Sequence, residues 1–94
     1  MAIIISQKTQ EKLAQKHHVT AEEVSQCFAN RDGKLLVDTR EEHASDPATQ
    51  WFISETDLGR KLKIIFISKG ANIYLRSAFV PNEIELGIYK KYGY

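Results

Sequence analysis

The chain has 94 residues and a net charge of +1, and 43% of its residues are hydrophobic and 27% charged. This length and composition suit one folded domain covering residues 1–94, and they exclude both a disordered chain and a protein that binds nucleic acid by bulk charge alone. The single cysteine, Cys27, excludes an internal disulfide, which fits a cytoplasmic protein. The apolar start, residues 1–5, is too short for a signal-peptide core or a membrane span, so we expect no membrane association.

The first part of the chain is predicted to form a short strand and two helices. Residues 1–5 suit the strand, and Thr9 is the predicted N-cap of the first helix. The second helix is predicted to begin at Thr20, since Thr20 and Glu23 have the spacing of a capping box. Its apolar face is predicted from helical spacing and comprises Ala21, Val24, Cys27 and Phe28.

Four strands and a last helix are predicted to follow. The strands are residues 35–38, 51–55, 61–68 and 72–80, and the polar stretch 39–49 is a predicted loop. The last helix starts after Pro81 and Asn82, and Ile84, Ile88 and Tyr92 recur in it at every fourth residue. The predicted fold class is therefore α+β, an antiparallel meander with two N-terminal helices and a C-terminal helix packed on it.

The turn at residues 69–72 predicts the register of the last hairpin. It places Phe66 opposite Leu75 on an apolar core face, to which Phe79 also belongs. The second face would pair Ile65 with Arg76 and Lys63 with Ala78. By the same test on the preceding turn, Trp51 and Ile53 lie on the core face, and Phe52 and Ser54 lie on the second face.

The second face would thus mix aromatic and apolar side chains with Lys61, Lys63 and Arg76. Three interpretations stay open: a solvated face, a surface covered by a partner protein, and a cleft for a phosphate-rich ligand. In the third, Arg76 binds phosphate through two hydrogen bonds, Lys63 adds charge, and Tyr74 or Phe52 stacks on a base.

The histidines and the cysteine suggest little chemistry of their own. His17 and His18 are adjacent, so on a helix they point about 100 degrees apart and do not suit one metal ion. His43 lies in the predicted loop, and Cys27 lies on an apolar helix face, where a thiol is inert. We therefore expect no metal and no cofactor.

Several segments resemble one known family. Residues 16–28, which begin Lys-His-His-Val-Thr-Ala-Glu-Glu-Val and end in Phe28, are similar to the Lys-His-Gly-Val-Ser-Phe-Glu-Glu-Ala…Phe segment of BrnT-like toxins. The likeness continues through residues 38–40, 59–66 and 73–78 to Glu85 and Tyr89. BrnT-like toxins are the ribonuclease partners of type II toxin–antitoxin pairs and have a RelE-like fold.

The resemblance implies metal-independent RNA cleavage, in which the ribose 2′-hydroxyl attacks the neighbouring phosphate, and inhibition by an antitoxin protein. The catalytic candidates that it implies are Lys16, His17, Arg40, Arg76, Glu85 and Tyr89. The candidates for RNA binding are Lys61, Lys63 and Tyr74. The oligomeric state stays open.

The sequence departs from the family pattern at three places. The family's Trp-Asp near the start is Ile5-Ser6 here, its glycine is His18, and the arginine of its Ser-Ala-Arg is Phe79. Two functions therefore stand side by side: a toxin-like ribonuclease held by an antitoxin, and a non-catalytic protein-interaction or regulatory module on the same fold.

Overall fold

A computed structural model describes residues 2–38 and 48–94. No helix in these two ranges is long and apolar enough to cross a lipid bilayer. The described strands are β1 (Ala2–Ile4), β2 (Leu36–Val37), β3 (Thr49–Glu55), β4 (Lys61–Lys69) and β5 (Asn72–Phe79). The helices are α1 (Gln7–Lys12), which continues into a π-helical turn (Leu13–His17), α2 (Ala21–Asn30) and α3 (Glu83–Tyr92).

The five strands form one mixed sheet in the order β1-β5-β4-β3-β2. The meander of β2, β3, β4 and β5 is antiparallel as predicted, but β1 pairs in parallel with β5. The prediction of an antiparallel meander left the partner of the first strand open. The meander leaves the outer edge of β5 unpaired, and β1 fills part of it. The α+β class is confirmed.

Helices cover both faces of the sheet. On one face, the ring of Phe28 in α2 packs against those of Phe52 and Phe66, both fully buried. On the other face, Tyr89 of α3 packs against Trp51. The core thus extends through the sheet, and burying its aromatic side chains contributes roughly 1.5–3 kcal/mol each.

The β3–β4 loop is shorter by one residue than the predicted register requires. Thr56 and Arg60 close it through a backbone hydrogen bond of 2.9 Å, and Gly59 adopts a left-handed conformation with φ of 86°. Phe52 therefore lies opposite Ile64, and Trp51 lies opposite Ile65. This corrects the prediction, because the one-residue difference exchanges the faces of the whole strand and places Phe52 in the helix-covered core.

A β-bulge at Arg76 changes the other half of the predicted hairpin. The pairs Phe66–Leu75 and Ile67–Tyr74 form as predicted, but Ile65 then pairs with Ser77, so Arg76 has no partner residue on β4. The prediction that Ile65 faces Arg76 is therefore wrong. After the bulge, Phe79 lies opposite Lys63 and shares its face of the sheet.

The junction between α1 and α2 has a left-handed residue at its centre. The first helix begins with Ser6 as its N-cap, which corrects the prediction of Thr9, because the Ser6 hydroxyl accepts the Thr9 amide at 3.2 Å. The capping box of Thr20 and Glu23 is confirmed. Between the helices, His18 has φ of 52° and ψ of 45°, a conformation that favours glycine.

His18→Gly is expected to stabilise the protein by about 1 kcal/mol, because it removes the steric cost of a β-carbon in a left-handed backbone. The matched control is His17→Gly, one residue earlier in right-handed helix, which is expected to destabilise by about 1 kcal/mol. Urea unfolding at neutral pH measures both changes. A loss of stability in both variants would contradict the account of this junction.

Arg60, which directly precedes β4, stabilises the same junction through hydrogen bonds. Its guanidinium donates hydrogen bonds to the carbonyls of His17 at 3.1 Å and His18 at 2.8 Å, where helical carbonyls lack intrahelical partners. It also forms an ion pair with Glu23 at 3.1 Å. Although partial burial acts to raise the pKa of Glu23, the Thr20 amide and the Arg60 guanidinium lower it overall.

Arg60→Ala is expected to destabilise by about 2 kcal/mol, since two carbonyls and one carboxylate lose a charged donor that is partly exposed to solvent. The adjacent exposed Lys61→Ala is the control and is expected to change stability by less than about 0.5 kcal/mol.

Because the pKa of Glu23 is lower in the folded state, the contribution of Glu23 to stability is present above the unfolded pKa and is lost as the pH falls through the folded pKa. The stability difference between the wild type and Glu23→Gln should therefore disappear in acid. A difference that stays unchanged as the pH is lowered far below the ordinary pKa of a glutamate carboxyl would contradict this assignment.

Candidate functional site

A lysine and a glutamate form a close ion pair between α3 and the sheet. Lys63 Nζ lies 2.6 Å from Glu85 Oε2, and the side chains are 10% and 18% exposed. Lys63 Nζ also lies 4.5 Å from the ring centroid of Trp51, in cation–π geometry. The α3 capping box fixes the glutamate from the other side, because Glu85 Oε1 accepts the amide of Asn82 at 3.0 Å. Lys63 and Glu85 are separate candidates in the sequence, and the fold brings them into contact.

The ion pair lies in a groove between α3 and the β2 edge of the sheet. We call this the α3–β2 groove, and its volume is about 530 Å³. Its lining is mainly apolar, with the charged groups concentrated at Lys63, Glu85 and Asp38. An apolar cleft with a few converging polar groups is the usual form of a ligand-binding site. The remaining lining residues are Leu36, Val37, Trp51, Ile88 and Tyr92.

Phe79 connects this ion pair to His17. The Phe79 ring centroid lies 5.8 Å from Lys63 Nζ and 5.4 Å from the imidazole centroid of His17. The bulge at Arg76 causes this, because the register without it would have placed Phe79 on the opposite face of the sheet. Phe79 occupies the position at which the BrnT-like pattern has arginine. This position therefore lies beside the ion pair of Lys63 and Glu85.

The pKa of His17 decides whether its imidazole can accept a proton at neutral pH. Burial lowers its pKa below the ordinary value of 6.5, and the positive charges of Lys12 and Lys16 lower it further. The imidazole is therefore unprotonated at neutral pH and can accept a proton. Its neighbour His18 is exposed, and its carbonyl accepts Arg60.

The other predicted cationic and aromatic candidates are more scattered. Lys16 is exposed on the π-helical turn beside His17, and Arg76 is exposed at the bulge, where its carbonyl accepts Lys12 Nζ at 3.4 Å. Tyr74 is 38% exposed near the β1 end of the sheet. Lys61 lines a different cleft, of about 720 Å³, together with Glu55 and Tyr94. Among the candidates within residues 2–38 and 48–94, Lys63 and Glu85 form an ion pair. Arg40 and His43 lie outside the described residues.

Tyr89 is buried beneath α3, and its hydroxyl is hydrogen-bonded to the backbone. Its hydroxyl donates to the carbonyl of Lys34 at 2.7 Å, and its ring packs against Trp51 and Tyr94. Burial raises the pKa of Tyr89, with a further contribution from Tyr94, so the phenol stays protonated. These contacts suit a residue that positions α3 against the segment before β2.

Cys27 has the inert environment that its spacing predicts. It is fully buried on α2, and its thiol donates to the Ser54 carbonyl at 3.7 Å. Burial raises the pKa of Cys27 to about 11, with the negative charge of Glu23 adding to the shift. Across residues 2–38 and 48–94, no group of three or more potential metal ligands lies together.

Sequence reasoning missed three residues of the α3–β2 groove region. The predictions assigned Trp51 and Phe79 to the apolar core face, and Asp38 to the end of a strand. A signal for Trp51 exists in the Thr56–Arg60 loop, since the left-handed turn at Gly59 suits a three-residue hairpin connection and the register that follows from it. No sequence signal marks the bulge that moves Phe79.

No family model matches the chain, and no curated protein or solved structure matches it either.

Proposed function

We propose that this protein is a toxin-like ribonuclease with a RelE-like fold, which cleaves RNA in the cytoplasm without a metal ion and is inhibited by an antitoxin protein. One observation carries the proposal: Phe79 contacts both His17 and Lys63, and Lys63 contacts Glu85. This contact series has an unprotonated imidazole, a nearly buried cation and a carboxylate on the α3 side of the sheet, with the Phe79 ring between His17 and Lys63. RNA cleavage by its own 2′-hydroxyl needs a proton acceptor and positive charge near the phosphate.

Each of these groups has a role in the proposed reaction. His17 takes the proton of the 2′-hydroxyl, and the 2′-oxygen forms a bond to phosphorus while the bond to the 5′-oxygen breaks. Lys63 stabilises the negative charge of the phosphorane, and Glu85 positions Lys63. Water returns a proton to the departing 5′-oxygen, which leaves a 2′,3′-cyclic phosphate and a 5′-hydroxyl. The exposed side chains of Lys16 and Arg76 are available to neighbouring phosphates.

The two adjacent histidines provide a matched test. Purified protein is expected to cleave single-stranded RNA in the presence of EDTA and to leave 2′,3′-cyclic phosphate ends. His17→Asn is expected to lower the rate at least 100-fold, which is the usual contribution of a general base. His18→Asn is expected to retain the rate, since asparagine tolerates a left-handed backbone. Wild-type protein that leaves RNA intact, or equal rates in the two variants, would reject the proposed chemistry.

A non-catalytic interaction module is the second candidate, and a specific observation favours it. The charge of Lys63 is already balanced by Glu85, and an apolar ring stands at Phe79 where the BrnT-like pattern has a cation. The same assay separates the two candidates, because the module predicts intact RNA with every variant.

A further inference from the structure

Two irregularities of the backbone meet beside β5, beyond the residues 72–74 that pair with β1. The first helix ends in the π-helical turn Leu13–His17, and β5 has its bulge at Arg76. A hydrogen bond of 3.4 Å joins them, in which Lys12 Nζ donates to the carbonyl of Arg76. Both π-helical turns and β-bulges interrupt regular hydrogen bonding and are frequent at functional sites. The side chains that this pair brings together are therefore candidates for a binding role.

The side chains at this meeting point are positively charged. We call Lys12, Lys16 and Arg76 the cationic patch, and within residues 2–38 and 48–94 none of the three forms an ion pair. Burial and then the positive charges of Lys12 and Lys16 lower the pKa of His17, so both lysines lie close enough to act on its imidazole. Like charges four residues apart on a helix destabilise it. A cluster of cations that no ion pair neutralises therefore indicates an anionic ligand.

Lys12 differs from an ordinary surface lysine. It is half-buried, whereas Lys16 and Arg76 are exposed. The Arg76 carbonyl holds its ammonium group, which carries three N–H donors and so keeps two of them for a ligand. The Arg76 guanidinium can bind a phosphate through two parallel hydrogen bonds, and Lys16 adds a further charge. Phosphate suits this set of donors, because its oxygens accept several charged hydrogen bonds at once.

Lys63 is not part of the cationic patch. The Phe79 ring lies between Lys63 Nζ and the His17 imidazole. In the proposed reaction Lys63 stabilises the phosphate that is attacked, so the cationic patch is left for another phosphate of the same RNA chain.

We infer that the cationic patch is a second phosphate-binding subsite, which holds the RNA backbone at a phosphate other than the one attacked. The inference rests on the proposed ribonuclease activity for the place of this subsite in the reaction. Lys12 then positions the RNA chain and takes no part in bond breaking. Because contacts to phosphate carry no sequence information, the subsite selects for the length of the chain and not for its bases. The substrate is thus an oligonucleotide with at least two phosphates.

Binding of an RNA that cannot be cleaved tests the subsite without catalysis. The probe is a fluorescent RNA of about ten nucleotides with 2′-O-methyl riboses, and its anisotropy is measured over a range of salt concentrations. Lys12→Gln is expected to raise the Kd at least about threefold at low salt and to reduce the slope of log Kd against log salt by about one. Lys12→Arg keeps the charge and is expected to retain most of the affinity. The control is Lys90→Gln, which removes the same charge from an exposed position of α3 and is expected to leave the Kd and the slope unchanged.

A second variant separates binding from folding. Arg76→Gln removes the guanidinium but keeps the backbone carbonyl that Lys12 binds. It is expected to raise the Kd by a similar factor, with a melting temperature close to that of the wild type, because Arg76 is exposed. A loss of affinity without a loss of stability assigns the effect to binding.

Cleavage kinetics distinguish this inference from the proposed function. Lys12→Gln is expected to raise the KM for the oligonucleotide more than it lowers kcat, and to affect a dinucleoside monophosphate less, because that substrate has a single phosphate. If the wild type binds RNA through Lys12 but cleaves none, the ribonuclease proposal fails and the phosphate-binding subsite stands. Equal Kd and salt slope for Lys12→Gln and Lys90→Gln, or no RNA binding, overturns the inference even if RNA is cleaved. Binding of inorganic phosphate that depends on Lys12, with RNA binding that does not, overturns it as well.

Discussion

Lys63→Met is expected to destabilise the protein by about 2–3 kcal/mol, although methionine fills nearly the same volume. The reason is that the nearly buried Glu85 carboxylate loses the Lys63 cation at 2.6 Å, and removing one partner of a largely buried ion pair is costly. The same substitution should abolish RNA cleavage, because it removes the charge that stabilises the phosphorane. Urea unfolding and the RNA assay are to be made on the same preparations.

The double-mutant cycle isolates the pair. Glu85→Gln preserves the capping acceptor for Asn82 and removes only the charge, so the double variant with Lys63→Met should recover at least about 1 kcal/mol of the loss. Lys61→Met is the matched control on the same strand and face, and it should change little because Lys61 is exposed. If Lys61→Met and Lys63→Met were equally mild, the ion pair would not be the centre of this site.

Tyr89→Ala is expected to destabilise by about 4 kcal/mol, because it removes a buried aromatic ring from beneath α3. Tyr89→Phe is expected to cost about 1 kcal/mol, since the Lys34 carbonyl loses only the hydroxyl that donates to it. Thermal or urea unfolding measures both variants.

Substitution of Tyr89 also distinguishes a packing role of this residue from a catalytic one. The BrnT-like resemblance makes this residue a catalytic candidate, whereas its buried hydroxyl is bonded to the backbone. Tyr89→Phe is therefore expected to retain the RNA cleavage rate of the wild type within about threefold at a temperature where both are folded. A loss of 100-fold or more with intact folding would instead assign the hydroxyl to the reaction.

Local signals in the sequence were sufficient for most of the secondary structure. The capping box at Thr20 and Glu23 located α2, and the Pro81–Asn82 pair located the start of α3. The turn at Gly70 correctly predicted the near half of the β4–β5 hairpin. These features are short in range, so a few residues decide each of them.

Strand pairings could not be predicted in the same way where they depend on a single residue more or less in a loop or strand, or on segments that are distant in the chain. One residue fewer in the β3–β4 loop exchanged the faces of Trp51 and Phe52, and one extra residue at Arg76 moved Phe79. The partner of β1 depends on which edge the meander leaves unpaired. The contact between Lys63 and Glu85 depends on where α3 crosses the sheet, and no spacing within the chain encodes that crossing.

The fluorescence of Trp51 provides the most direct test of the α3–β2 groove as the RNA site. Trp51 is the only tryptophan of the chain, and Lys63 Nζ lies over its ring. We predict that titration with a short single-stranded RNA, which carries a 2′-deoxy sugar at the cleavage position, changes the Trp51 fluorescence until binding is saturated. Added salt is expected to weaken this binding. Lys63→Met should weaken it at least tenfold, and Lys61→Met should not. RNA binding detected by anisotropy with no change in Trp51 fluorescence, or no binding at all, would contradict the account.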